Sequence, residues 1–283
     1  MAELLKGLPV ANALTEMLTE RTAALAEKNV VPTLAILRVG ERPDDISYET
    51  GAVKRCAKVG IAVRQFLLDT DCTREELLDT IRVINEDPSI HGCLMFRPLP
   101  DRDMEEAACA LLKPEKDVDG MTAGSLATVF AGKGDGYPPC TAEACMELLD
   151  HYGISLEGKR VTVIGRSLVI GRPVSMMLQS RNATVTMCHT RTVNLPEVCR
   201  NAEILLVAAG KAGVADSGFS APGQVVVDVG IHVTAEGKLC GDVNFADVEP
   251  IVEAITPVPG GVGSVTTAVL AKHVVEAAEK TVK

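Results

Sequence analysis

The stretch RVTVIGRSLVIGRP, residues 160–173, joins an aliphatic strand to a glycine-bounded turn and then to the start of a helix. Arg160–Ile164 forms the strand, and Pro173 suits the first helical turn, where a missing N–H costs nothing. Between them lies the pattern G-x-S-x-x-x-G over residues 165–171. Such a turn lets backbone N–H groups and a helix N-terminus face a pyrophosphate. The segment therefore predicts a Rossmann-type domain that binds a dinucleotide.

The end of the next predicted strand, residues 184–189, bears on which dinucleotide is bound. An NAD site would place Asp or Glu there, about 20 residues after the glycine turn. The sequence is instead His189-Thr190-Arg191-Thr192, and Arg166 lies in the turn itself. Cations and hydroxyls suit a 2′-phosphate, so we expect NADP, with Arg166 and Arg191 among its ligands. The alternative is that both arginines are solvated surface residues.

Strand and helix patterns alternate on both sides of a looser stretch between residues 112 and 141, which reads as loop and domain boundary. Predicted strands lie at 33–39, 61–68, 92–96, 160–164, 184–189, 203–210 and 224–230. Predicted helices lie at 10–28, 46–59, 73–85 (with Thr73 as N-cap and Glu76 completing a capping box), 141–152 and 266–283. This alternation implies parallel sheets and an α/β fold of two units, the second starting near residue 141. We expect the ligand site in the crevice between them.

Composition excludes several classes of protein. Aromatic residues make up only 3% of a chain that is 47% hydrophobic, so its cores must be aliphatic, as in parallel sheets. A net charge of −10 argues against nucleic-acid and anionic-membrane partners. The nine cysteines form no CxxC pair, which favours reduced thiols and a cytoplasmic location. We expect no signal peptide, no transmembrane helix and no metal site.

Five further motifs extend over most of the chain: KDVDG (116–120), PPCT (138–141), DVGI (228–231), GDVNF (241–245) and PVPGGVG (257–263). Together with IGRSLVIGRP they resemble, in order and spacing, the bifunctional FolD-type methylenetetrahydrofolate dehydrogenase/cyclohydrolase family. The resemblance implies NADP-dependent oxidation of 5,10-methylenetetrahydrofolate to the methenyl cation. In most members of that family, water then opens the cation to 10-formyltetrahydrofolate.

The resemblance also implies a domain organisation. An N-terminal folate-binding α/β domain would span residues 1–140, and a doubly wound, Rossmann-type NADP-binding domain would span residues 141–264. A C-terminal helix, residues 265–283, would return to the first domain. A homodimer, as in the family, is expected.

The resemblance assigns roles on both sides of the reaction. The cofactor residues that it implies are Gly165, Arg166, Ser167, Gly171, Thr190 (in place of the usual Ser beside the 2′-phosphate) and Ile231 near the nicotinamide. The substrate residues that it implies are Tyr48, Asp119 on the pterin ring, and the loop Pro259, Gly260, Gly261, Val262 and Gly263. Tyr48 and Asp119 are also the implied catalytic residues. A carboxylate such as Asp119 can accept two parallel N–H bonds from an aminopyrimidine edge.

Two positions depart from the family pattern. The family's Lys, four residues after Tyr48, is Ala52, and its Gln is Phe96. By helical spacing Lys54 points away from Tyr48, whereas Arg55 lies a turn further on and cannot release a proton usefully. By strand alternation Arg97 is expected to face away.

Hydride transfer depends on positioning, because the cofactor supplies its chemistry, whereas hydrolysis of the methenyl cation needs a tuned acid–base group. Our hypothesis is therefore a dehydrogenase with weak or absent cyclohydrolase activity. Three alternatives remain: the full bifunctional enzyme, a non-catalytic NADP- or folate-binding protein, and a dehydrogenase for shikimate-like acids. His189 could touch the cofactor, although a structural role suits it at least as well. Cys140 could be reactive, but a packing role is favoured because no base is identifiable beside it.

Overall fold

A computed structural model describes residues 1–282. Its strands are β1 (Glu3–Leu4), β2 (Thr33–Val39), β3 (Ala62–Leu68), β4 (Gly92–Met95), β5 (Arg160–Ile164), β6 (Thr184–Cys188), β7 (Ile204–Val207), β8 (Val225–Asp228), β9 (His232–Val233), β10 (Leu239–Cys240) and β11 (Ala254–Ile255). Its α-helices are α1 (Gly7–Ala26), α2 (Pro43–Val59), α3 (Arg74–Glu86), α4 (Arg102–Leu111), α5 (Ala123–Ala131), α6 (Cys140–His151), α7 (Gly171–Ser180), α8 (Leu195–Arg200), α9 (Phe245–Val248) and α10 (Thr266–Thr281). None of the helices in this part of the chain is long and apolar enough to cross a membrane.

The chain divides into two compact units. We call Met1–Asn12 with Thr141–Thr266 the six-stranded unit, and Ala13–Cys140 with the residues from Thr267 onward the three-stranded unit. The C-terminal helix thus belongs to the unit that contains most of the N-terminal half. Residues 1–12 differ from the predicted boundary, because β1 pairs in parallel with β11 and so joins the sheet of the other unit.

The six-stranded sheet has the order β1-β11-β8-β7-β5-β6, and every pairing in it is parallel. Strands β7 and β8 are buried along their whole length, as continuous aliphatic strands of a parallel sheet are. The chain passes from β5 to β6 on one side and then crosses to β7 on the other. The strand order therefore reverses at β5, and the crevice beyond its carboxyl end is where such sheets bind ligands. The turn 165–171 lies at that end.

The three-stranded sheet has the order β3-β2-β4, again with parallel pairing. Its central strand, β2, is buried at all seven positions, and its core packs against α3 and α4. Helix α3 begins as predicted: the Thr73 side chain accepts the Glu76 N–H, while the Glu76 carboxylate accepts the Thr73 N–H. This capping box satisfies two N–H groups that the first helical turn leaves without helical partners.

The predicted strands and helices are confirmed, and β2 and β5 have the predicted bounds. One prediction was wrong: residues 112–141, read as loop, contain α5, which Thr122 caps by accepting the Ser125 N–H. Four two-residue strands were not predicted, namely β1, β11 and the antiparallel pair β9 and β10. Strands this short present no period-2 pattern, so only tertiary pairing reveals them.

Candidate functional site

The turn after β5 is closed by two glycines that no other residue can replace without displacing backbone. Gly165 has φ +126°, and a Cβ there would lie 2.2 Å from the carbonyl oxygen of Ala208 on the neighbouring strand's exit. A Cβ on Gly171 would lie 2.2 Å from the Gly165 carbonyl oxygen. The two ends of the turn are therefore in direct backbone contact, which places the N-terminus of α7 immediately beside the end of β5. This is the cradle that a dinucleotide's phosphates require.

Hydrogen bonds within the turn fix its shape. The Ser167 hydroxyl accepts the Ile170 N–H (3.1 Å), and the Ser167 carbonyl accepts the Arg172 N–H (3.0 Å). Helix α7 begins at Gly171, two residues before Pro173, so the predicted helix start is nearly right. The Arg166 side chain is exposed.

The turn after β6 lies at the same edge of the sheet, because β5 and β6 pair in parallel with Ile164 opposite Cys188. In this turn the His189 N–H donates to the Thr192 hydroxyl (2.9 Å), and His189 Nδ1 accepts the Arg191 N–H (3.1 Å). His189 therefore has a structural role in this turn. Thr190 and Arg191 are exposed. The predicted 2′-phosphate residues thus follow adjacent strands on one sheet edge.

A second group of predicted residues lines one cavity of about 220 Å³ in the six-stranded unit. Its walls include Ile231 and the whole segment from Pro259 to Gly263, together with Asp228 and Leu239. A Cβ on Gly263 would come within 2.9 Å of Ile231 Cδ1, so the bare glycine permits this packing. The structure therefore joins the residue assigned to the nicotinamide side with the loop assigned to folate, although they are about 30 residues apart in sequence.

Two buried carboxylates, Asp228 and Asp242, stabilise the backbone around this cavity, and neither was among the predicted site residues. Asp228, at the end of β8, accepts the N–H groups of Gly230, Asp242 and Val243. Burial raises the pKa of Asp228 to about 6, against these three hydrogen bonds, which lower it. Asp242 accepts the N–H groups of Gly210 and Lys211 and pairs with His232 Nε2 at 2.7 Å. The sequence feature that could have predicted Asp228 is an acid at the end of an aliphatic strand, as in DVGI.

In the three-stranded unit, Tyr48 on α2 meets Phe96 edge to face, with ring centroids 5.9 Å apart. Ala52, one helical turn after Tyr48, is 1% exposed. Neither Ala52 nor Phe96 carries a titratable group, so the two departures from the family pattern place only apolar side chains at these positions. The pKa of Tyr48 is raised well above its ordinary value, first by burial and then by the charge of Asp119. Tyr48 and Asp119 are thus electrostatic neighbours.

Asp119 lies in a loop that its neighbour Asp117 organises. Asp117 is fully buried, and its carboxylate accepts the N–H groups of Met121 (3.1 Å) and Thr122 (2.7 Å). Asp119 is partly buried, and its pKa is raised to about 6 by desolvation and by the Asp117 charge, while Arg97, Cys140 and His273 lower it. Asp117 therefore stabilises the loop, and Asp119 is held in position by that loop.

The three cations considered as replacements for the missing Lys lie in different surroundings. Lys54 is exposed, and Arg55 donates to the Thr15 hydroxyl at 2.5 Å. Arg97 was expected to face away from Phe96 by strand alternation. Its guanidinium lies 3.8 Å from the Glu105 carboxylate on α4, whereas the Phe96 ring meets Tyr48 on α2, so the two side chains contact different helices, which agrees with that expectation. The charge of Arg97 also lowers the pKa of Asp119.

Two further points concern metal ligands and the role of Cys140. Among residues 1–282, no three His, Cys, Asp or Glu side chains are grouped as metal ligands would be. Cys140 is 1% exposed and its thiol donates to the Val118 carbonyl oxygen (3.3 Å), which is a structural role.

A parallel sheet with a glycine cradle at its switch point defines a Rossmann-type dinucleotide-binding protein. Two family models match the chain: "Tetrahydrofolate dehydrogenase/cyclohydrolase, catalytic domain" over residues 5–119 and "Tetrahydrofolate dehydrogenase/cyclohydrolase, NAD(P)-binding domain" over residues 139–282. The chain belongs to the tetrahydrofolate dehydrogenase/cyclohydrolase family. This confirms the family resemblance and the prediction of a nicotinamide dinucleotide cofactor.

Relatives span the whole chain. It is 52% identical to the bifunctional protein FolD of Carboxydothermus hydrogenoformans over 99% of this chain and 98% of that one, and 48% identical to that of Clostridioides difficile over 97% and 96%. Among solved structures, the Campylobacter jejuni FolD dehydrogenase/cyclohydrolase is 37% identical, with a TM-score of 0.95 over 99% of both chains. The Trypanosoma brucei FolD, complexed with NADP and an inhibitor, is 33% identical, with a TM-score of 0.92 over 100% of this chain and 99% of that one.

Proposed function

We propose that this protein oxidises 5,10-methylenetetrahydrofolate to 5,10-methenyltetrahydrofolate with NADP. The observation that carries the proposal is the backbone cradle of Gly165 and Gly171 in a chain that also keeps Tyr48 and Asp119 as electrostatic neighbours. Family membership over both halves of the chain supports it. It also makes the shikimate-type alternative the weaker one.

NADP fits the residues at the edge of the six-stranded sheet. The 165–171 turn would hold the pyrophosphate, while Arg166, Thr190 and Arg191 would face the 2′-phosphate with two cations and a hydroxyl. The complex of the Trypanosoma brucei relative with NADP supports this choice over NAD. Bound NADP supplies the hydride acceptor, at C4 of its nicotinamide ring. The protein's own contribution is then position, which the cavity wall at Ile231 would provide on the nicotinamide side.

In the three-stranded unit, Tyr48 and Asp119 would contact the substrate, and the family resemblance assigns the Pro259–Gly263 segment to the substrate as well. An ionised Asp119 would accept two N–H bonds from the pterin's aminopyrimidine edge, and Tyr48 would contact the folate beside it. With the pKa of Asp119 at about 6, the carboxylate form predominates at neutral pH. The domain roles follow: folate in the three-stranded unit, which carries Tyr48 and Asp119, and NADP in the six-stranded unit.

Hydrolysis of the methenyl product to 10-formyltetrahydrofolate is a second candidate function. Relatives named as bifunctional proteins favour it, and so favour the bifunctional alternative over our expectation of weak cyclohydrolase activity. Ala52 and Phe96 supply no acid–base group. Any hydrolysis therefore has to use a group other than the side chain at position 52.

One set of assays separates these possibilities. Folate-dependent NADPH formation by the purified protein is the expected result; its absence would leave a non-catalytic binder, and a preference for NAD would refute the cofactor choice. Enzyme-dependent loss of methenyltetrahydrofolate absorbance, compared with buffer alone, measures the cyclohydrolase. The double variant Ala52→Lys with Phe96→Gln should increase that hydrolysis if position 52 limits it. Light scattering tests the expected homodimer.

A further inference from the structure

Two buried side chains outside the proposed chemistry converge on one carbonyl oxygen, that of Val118. His273 on α10 is fully buried, and its Nδ1 lies 2.8 Å from this oxygen. The Cys140 thiol lies 3.3 Å from the same oxygen and 3.8 Å from His273 Nδ1. Because a carbonyl only accepts, Nδ1 carries a proton and donates it here. The peptide that leads into Asp119 is thus held from two directions.

The surroundings of His273 are themselves fixed. Its ring lies against Tyr137, with centroids 5.0 Å apart, and the Tyr137 hydroxyl accepts a hydrogen bond from Lys280 Nζ at 3.0 Å. His273 and Lys280 are seven residues apart and so lie on one face of α10. That face therefore holds both the 116–120 loop and the segment that begins at Tyr137.

The two loops also touch through backbone. A Cβ on Gly120 would lie 2.4 Å from the backbone of Pro138 and of Pro139, so this glycine is required where the loops meet. On the other side of Asp119, the Asp117 carboxylate fixes the N–H groups of Met121 and Thr122. The main chain on both sides of Asp119 is therefore tied down, and on the preceding side His273 makes a shorter contact with the Val118 carbonyl oxygen than Cys140 does.

We propose that His273 is a positioning residue for substrate binding: by fixing the Val118 carbonyl, it sets the direction in which Asp119 presents its carboxylate. The proposal rests on the proposed function, because it assumes that Asp119 binds the pterin. The favourable effect of His273 on the ionised form of Asp119 is consistent with their proximity. A small displacement of a group that orients substrate is enough to weaken binding substantially.

The experiment compares three substitutions at position 273. Asparagine places an amide nitrogen where Nδ1 stood, glutamine places it one bond further out, and leucine removes it. We expect His273→Asn to keep the folate KM within about two-fold, and His273→Gln and His273→Leu to raise it about ten-fold. The KM for NADP and kcat should change by less than about two-fold in all three. Equal folate KM values for the Asn and Gln variants, or a fall in kcat without a change in KM, would overturn the proposal.

A second measurement separates this role from simple stabilisation. Calorimetric binding of tetrahydrofolate is compared in the wild type, in His273→Gln, in Asp119→Asn and in the double variant. If His273 acts through Asp119, its substitution adds no further loss in the Asp119→Asn background; independent losses contradict the proposal. If the wild type binds no tetrahydrofolate, the proposed function itself fails. If the wild type and His273→Gln bind equally, only the positioning role fails. The Asn and Gln pair keeps the test informative should the Leu variant not fold.

Discussion

The cofactor turn of the six-stranded unit depends on backbone geometry, whereas the Tyr48–Asp119 region of the three-stranded unit depends on side chains. The turn is made of backbone: Gly165 and Gly171 matter because anything larger would strike a carbonyl oxygen. The other region is made of side chains, and its character changes with one residue, as the Tyr48–Phe96 contact and Ala52 show. A backbone site is therefore hard to alter without damage to the fold, whereas a side-chain site can lose or gain one reaction step with the fold intact.

Substitution of Gly165 should have the largest effect. Gly165→Ala puts a methyl group against the Ala208 carbonyl, so we expect a loss of more than about 3 kcal/mol in unfolding free energy and more than about 100-fold in NADP affinity. Gly153 is the matched control, because its φ is +66° and a Cβ there meets nothing within 4 Å. Gly153→Ala should cost only about 1 kcal/mol and leave NADP binding unchanged. Equal losses in the two variants, by denaturant unfolding and titration, would contradict the backbone account.

Asp119→Asn should come next in size. The amide cannot accept two N–H bonds with a full negative charge, so kcat/KM for the folate substrate should fall about 100-fold while the KM for NADP is unchanged. Steady-state kinetics with each substrate varied checks this. Asp117→Asn is the contrasting variant: it should lower stability first, because Asp117 holds two backbone N–H groups of its own loop. Unaltered folate kinetics in Asp119→Asn would remove the substrate assignment.

The pH dependence of stability tests the electrostatics of the same residue. Because its pKa is raised from 3.8 to about 6 on folding, the folded protein binds the extra proton, so Asp119 costs stability as pH rises through that window. At pH 7 the cost should be about 3 kcal/mol, which Asp119→Asn would recover. The variant's advantage in unfolding free energy should therefore be present at pH 7 and absent at pH 4. An advantage that is the same at both values would mean that the carboxyl titrates normally.

The smallest expected effect belongs to the exposed cations of the cofactor edge. Arg191→Ala should weaken NADP about ten-fold and leave NAD affinity within two-fold, because one charge-assisted contact to the 2′-phosphate is lost. Arg166→Ala should behave in the same way to a similar degree. Exposed Lys211 offers a control outside the predicted phosphate residues, since Lys211→Ala should leave the NADP to NAD ratio unchanged. An equal loss for both dinucleotides would show that these arginines are not specificity residues.

Much of the secondary structure and the cofactor turn could be predicted from the sequence, because hydrophobic periodicity and turn residues are local features. The strands β2 and β5, the capping box at Thr73 and the glycine turn all follow from residues adjacent in sequence. The loop assignment of α5 failed because glycines, lysine and prolines around it mask a short helix whose start depends on Thr122. A helix of nine residues is not determined by periodicity alone.

By itself, the sequence determined the parallel α/β class and the glycine-bounded turn that receives a dinucleotide, because each depends on residue types at a fixed local spacing. Only the tertiary structure decided that β1 joins the six-stranded sheet, that Ile231 shares a cavity with the Pro259–Gly263 segment, and that His273 and Cys140 meet at the Val118 carbonyl. These contacts join residues about 20 to 250 positions apart, and such pairings form only when the packed core brings distant segments together.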